Sequence, residues 1–162
     1  KYSIKHIPKG CSIEYQVEQD GNLYLQMKNE ADKNSLFHLY ITISGMVFGK
    51  VTLFHRESTR NIELLRIDYT DGQHKNPPFA NGVPPFLEAY GNAILKGNHI
   101  HIYVTGYGLS WAIPLDESDF PIKEIRRDNI NINFAEAVLC FSERIGLLNR
   151  IKVHCNTRLP FE

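Results

Sequence analysis

What this chain has little of narrows the field first. It has no surplus of either charge: 18 Lys and Arg balance 18 Asp and Glu over 162 residues. Tight nonspecific nucleic-acid binding draws on many cations that neutralise phosphates. Neutrality removes that argument and leaves room only for a small local RNA or nucleotide site. No apolar run approaches the roughly 20 residues that a membrane helix needs, so no membrane association is expected. Cysteine is scarce. Cys11, Cys140 and Cys155 are far apart and form no CxxC, which argues against a disulfide framework or a zinc knuckle. A reducing cytoplasm is therefore the expected compartment. No secretory signal segment is visible, and the chain opens KYSIKHIPKG without a methionine, which fits a trimmed leader or tag. No repeat, low-complexity segment or break in composition divides residues 1–162, so they read as a single domain. No cofactor is expected.

What is present is ordinary for a globular core, with 43% hydrophobic residues. The first two thirds alternate. Cys11, Ile13, Tyr15 and Val17 share one face, and Asp20-Gly21 suits a tight turn into Leu23, Leu25 and Met27. Phe37, Leu39, Ile41 and Ile43 repeat at period two. "GMVFGK" reads as a turn, with "VTLFHRES" and Ile62 to Tyr69 as further strands. Thr70 to Asn98 is rich in proline and glycine. It reads as a long loop in which "FLEAY" forms a short helix. "HIHIYV", the turn "TGYG" and "LSWAIPL" make a hairpin, and "DESDFP" reads as a loop. The convincing helix runs from Asn133 to Ile145, with Phe134, Ala137, Val138, Phe141, Ile145 and Leu148 on one stripe. Asn133 serves as its cap and Gly146 as its stop. "RIKVHCN" reads as a last edge strand. The fold class that follows is α+β: a curved antiparallel sheet, a meander of about six to eight strands, with one C-terminal helix packed on it.

Chemistry concentrates in two of these strands. In "HIHIYV", alternation places His99, His101 and Tyr103 on one side and Ile100, Ile102 and Val104 on the other. Same-side neighbours lie about 6.6 Å apart, close enough for two imidazoles to bind one metal or to flank one phosphate as acid and base. In "NIELLRIDY", Leu65, Ile67 and Tyr69 keep one face, while Ile62 and Leu64 give way to Arg66 and Asp68 on the other. His74 and Asn76 follow at once. If the two strands are neighbours, Arg66, Asp68, His74, His99, His101 and Tyr103 converge. The plain alternatives are that H-x-H marks a solvated face and that Arg66 and Asp68 form an ordinary surface ion pair. Trp111 reads as core. His6, His38, His55 and His154 have no evident partner, although His38 and Tyr40 share a strand face.

The stretch "LLRIDYTDGQHKNPP…HIHIYVTGYGLSWAIPL" resembles an uncharacterised family of small bacterial and phage-associated proteins. Its pattern is R-x-D, H-x-N-P, H-x-H-x-Y, G-Y-G and W-A-x-P-L, with "NFAEAVLCFSERIGLLN" and a closing "LPFE" as looser matches. More distantly, it is similar to TumE-like toxins of toxin–antitoxin modules, which implies an RNA-cleaving, metal-independent activity. Arg66, Asp68, His74, His99 and His101 are the matching positions. In that reading His99 and His101 act as base and acid, Arg66 holds the phosphate, Asp68 fixes a histidine tautomer, and Tyr103 or His74 assists. Two other readings stand beside it. His74, His99, His101 and Asp68 would make a donor set for zinc or iron. Alternatively, Phe79, Phe86 and Tyr90 on the long loop would serve a non-catalytic module that binds a protein partner.

Overall fold

The computed structural model describes residues 13–18, 21–28, 32, 34–44, 50–125, 130–147 and 151–156. Ten strands and one α-helix appear among them: β1 (Ile13–Glu18), β2 (Asn22–Lys28), β3 (Leu36–Ser44), β4 (Lys50–Glu57), β5 (Ile62–Thr70), β6 (Gln73–Lys75), β7 (Ile94–Lys96), β8 (His99–Val104), β9 (Gly108–Pro114), α1 (Ile130–Arg144) and β10 (Ile151–Asn156). Cys11, the Asp20 half of the first turn, "GMVF", Leu148, the "LPFE" ending and His6 lie outside the described residues.

Period-two alternation sorts the side chains of the main sheet. Its order is β2-β3-β4-β5-β8-β9, every neighbouring pair is antiparallel, and the sheet does not close. The architecture is α+β, a meander interrupted only where the chain leaves β5 and returns in β8. One face carries Leu25, Leu39, Ile41, Leu53, Ile67 and Ile100. Phe134, Ala137, Val138 and Phe141 of α1 and Ile151 and Val153 of β10 close the core over it. A second cluster joins Val83 and Leu87 of the long loop to Val104 and the fully buried Trp111.

Three local expectations are corrected. β1 does not pair with β2; it pairs in parallel with β10, Ile13 opposite Ile151. Alternation shows that a segment is a strand but not which partner its backbone seeks. The helix begins at Ile130 rather than after Asn133, so Asn133 lies inside it and cannot be its cap. Gly146, with φ of 72°, does end it. The long loop is not wholly irregular. It holds the β6–β7 ladder, and the short helix expected at "FLEAY" is there as a 3-10 helix, Pro85–Tyr90. Prolines at its entry and the short span favour that tighter form.

Candidate functional site

β5 and β8 are hydrogen-bonded neighbours. Arg66 lies opposite His101, and Asp68 lies opposite His99. The register brings together four side chains that the sequence only suggested could meet, on the sheet face away from the core. Asp68, His99 and His101 are all buried, at 1%, 4% and 4% exposure. Neither a solvated histidine face nor a surface ion pair describes them.

Asp68 is the hub. Its Oδ2 lies 2.8 Å from an Arg66 guanidinium nitrogen, 3.2 Å from His101 Nε2 and 3.5 Å from His99 Nε2. Its Oδ1 accepts a 2.6 Å hydrogen bond from Thr52 and faces Lys50 Nζ at 3.8 Å. Burial alone would raise the Asp68 pKa. Hydrogen bonds to His101, His99 and Thr52 and the Arg66 charge overcome that and hold the carboxyl well below its ordinary range. One carboxylate between two cations leaves the site with a positive surplus even when the imidazoles are neutral.

The tautomers follow from the backbone. His99 Nδ1 lies 2.7 Å from the Gly97 carbonyl, and His101 Nδ1 lies 2.8 Å from the Leu109 carbonyl. A carbonyl can only accept, so both Nδ1 atoms carry hydrogens. The two Nε2 atoms that face Asp68 therefore donate to the carboxylate only in the doubly protonated ring, and in the neutral ring they present lone pairs that a metal ion could take. Gly97 adopts φ of 78° to turn its carbonyl into this position.

His74 arrives from β6. Its ring centroid lies 4.6 Å from that of His101 and 5.5 Å from that of His99. Its Nε2 sits 3.0 Å from the Ser110 carbonyl and 3.1 Å from Asn76 Oδ1, so Nε2 donates and Nδ1 keeps its lone pair. Burial and the neighbouring His101 and His99 push its pKa down, against the hydrogen bonds to Ser110 and Asn76. One ring nitrogen from each of His74, His99 and His101 lies within 4.8 Å of the others.

Asn76 fixes the loop that delivers His74. It is 1% exposed. Its amide donates to the carbonyls of Ala112 and Tyr90 at 2.8 and 3.1 Å, and its Oδ1 accepts from the Ala112 N–H at 2.8 Å. The side chain thus pairs with the open edge of β9 as another strand would.

Tyr103 does not join the cluster. The β8–β9 register shifts between Ile102 and Val104, so alternation fails one residue past His101. Tyr103 is 41% exposed and lines a pocket of about 530 Å³ with Leu64, Ile100 and Ile102. Thr52 and Lys50 are cluster members that sequence reasoning missed. Their only signal is the β4–β5 register, Thr52 opposite Asp68 and Lys50 opposite Thr70. On the long loop Phe79 and Phe86 are exposed, while Tyr90 is half-buried with its hydroxyl donating to Glu117 at 2.6 Å.

A family model matches residues 2–145, nearly the whole chain. The chain belongs to DUF6978, a family of unknown function. No curated protein and no solved structure matches it. The matched span of this DUF6978 member contains Lys50, Thr52, Arg66, Asp68, His74, Asn76, His99 and His101. Among the described residues no helix is long and apolar enough to cross a membrane.

Proposed function

We propose that this protein binds a divalent transition metal of the zinc class, with His74, His99 and His101 as ligands and Asp68 completing the donor set. The observation that carries the proposal is the pairing of each imidazole with a backbone carbonyl. Metal-binding histidines characteristically donate their other ring N–H in this way, which fixes ring and tautomer. Distances support it. Zinc bonds of roughly 2.0–2.2 Å set tetrahedral ligands about 3.3 Å apart, and the Asp68-to-histidine separations are 3.2 and 3.5 Å. A proton shared with a carboxylate draws the atoms closer, to about 2.7–2.9 Å. One ring nitrogen from each of the three histidines lies within 4.8 Å of the other two, so a single ion can reach all three after small side-chain adjustments. Zinc or iron content of the purified protein tests this beside His101→Ala. About one ion per chain, lost in the variant, is the expected result. Wild-type protein that carries no transition metal and gains no thermal stability from added zinc would overturn it, because a ligand that binds only the folded state must stabilise it.

A second reading, toxin-like cleavage of RNA by these residues without a metal, is favoured by Arg66. Its side chain is 36% exposed, sits 2.8 Å from Asp68 and stands opposite His101 in the strand register. In that reading the protons on His99 and His101 do the work, and Arg66 holds the phosphate. A chelator separates the two: cleavage that survives it belongs to the second reading.

A further inference from the structure

The face of the main sheet that holds the cluster continues across three more strands. Following the register through Arg66 gives one row: Tyr24 on β2, Tyr40 on β3, Phe54 on β4, Arg66 on β5 and His101 on β8. Three adjacent strands contribute an aromatic ring each. The centroids are 4.9 Å apart for Tyr24–Tyr40 and 5.6 Å for Tyr40–Phe54. All three rings are half-buried and keep an accessible surface. His38 packs edge-on to both tyrosines, 4.6 Å from Tyr24 and 5.9 Å from Tyr40, and bonds to the Ser58 hydroxyl.

The same face is cationic. Lys50, Arg56 and Arg66 project from β4 and β5 beside the aromatic row. Of the carboxylates, Asp68 is already engaged by Arg66, Thr52 and the imidazoles, and Glu63 stands opposite Arg56. Among the described residues, the Nε atoms of Arg56 and Arg66 are buried donors with no hydrogen-bond partner, although the Arg56 guanidinium also donates to Asn61 Oδ1. The ring pairs support the sheet modestly, but they also leave apolar ring area in water on the face away from the core.

We propose that this face binds single-stranded nucleic acid, its bases stacking on Tyr24, Tyr40 and Phe54 and its phosphates meeting Lys50, Arg56 and Arg66. Aromatic rings on a sheet face stack unpaired bases, and neighbouring cations follow the backbone. A duplex hides its base faces and does not fit. The row spans about 19 Å, from four interstrand steps of about 4.8 Å, and it ends at His101. A strand laid along it delivers a phosphodiester to Arg66 at the edge of the histidine cluster. The site stands on the sheet face and does not depend on what the histidines hold.

Fluorescence anisotropy of a labelled single-stranded RNA oligonucleotide, with the full chain and a chelator present, tests it. Phe54→Leu keeps an apolar side chain but removes the ring, and Phe54→Tyr keeps the ring. The expected result is binding that weakens about ten-fold or more in Phe54→Leu and Tyr40→Leu, as stacking contributions imply, and stays within about two-fold in Phe54→Tyr. The metal content of Phe54→Leu stays at the wild-type value, so failure here and failure of the metal centre are read separately. Three results overturn the proposal: no binding of single-stranded RNA or DNA by the wild type, equal affinity for the matching duplex, or leucine variants that bind as the wild type does. A protein partner captured through Tyr40 and Phe54 in place of the oligonucleotide also overturns it.

Discussion

At the residue scale, burial separates histidines that look alike in sequence. His55 alternates with Leu53 and Glu57 toward the interior of β4, is 8% exposed and stacks on Phe37 at 5.6 Å. Burial lowers its pKa from 6.5 to about 4. The unfolded chain therefore takes up a proton near 6.5 that the folded chain refuses. Stability is fully present above pH 6.5, falls as pH drops toward about 4, and levels off below. The whole effect is about 3 kcal/mol. His55→Leu removes that titration. Urea unfolding at about pH 7 and about pH 4.5 should show the variant losing about 2–3 kcal/mol less between the two than the wild type. Equal losses would mean that His55 is not the group responsible. The same scale shows what sequence could reveal of the site. Arg66, Asp68, His99 and His101 were legible because one apolar strand face gave way to Arg66 and Asp68 and another strand set two imidazoles opposite its apolar side. Thr52 and Lys50 were not, since a lone threonine or lysine on a strand is unremarkable until register sets it beside a carboxylate. Tyr103 was misread because one register shift is invisible to a period-two count.

At the element scale, most strands were legible, but their company was not. Alternation located β2 to β5, β8 and β9, and a glycine-rich turn announced the β8–β9 hairpin. The parallel β1–β10 pair was not legible, because its partners lie at opposite ends of the chain and no local signal links them. The Thr70–Asn98 segment was recognised as a long loop with a short helix in it. Its purpose emerges only from Asn76, which seals the edge of β9 and holds His74 over the cluster. Asn76→Ala leaves the Ala112 N–H and the Ala112 carbonyl without a partner in a buried position, while the Tyr90 carbonyl keeps the Ala93 N–H. The expected cost is about 2–4 kcal/mol, the sum of two unsatisfied polar groups. His74 also loses an orienting bond, so zinc affinity should drop by about 10–100-fold. Thermal melts and zinc titration on the variant check both. A destabilisation under about 1 kcal/mol would mean that water replaces the amide and that the loop is held elsewhere.

At the scale of the whole molecule, neutrality and the proposed nucleic-acid binding are reconciled by where the charges sit. The net charge is zero, yet the aromatic face carries Lys50, Arg56 and Arg66, and its one buried carboxylate is fully engaged. A uniformly basic protein binds through many phosphate contacts, and its affinity collapses with salt. This face offers three. With about 0.7 counterions released per phosphate contact on a single strand, the slope of log affinity against log salt should be about −2. Lys50→Ala should make it shallower by about 0.7. Anisotropy titrations across a range of potassium chloride concentrations measure both slopes. A much steeper wild-type slope would place the nucleic acid on some other, more basic surface. A flat one would mean that bases stack without phosphate contact, and Arg66 would then lose its part in bringing a phosphodiester to the histidines.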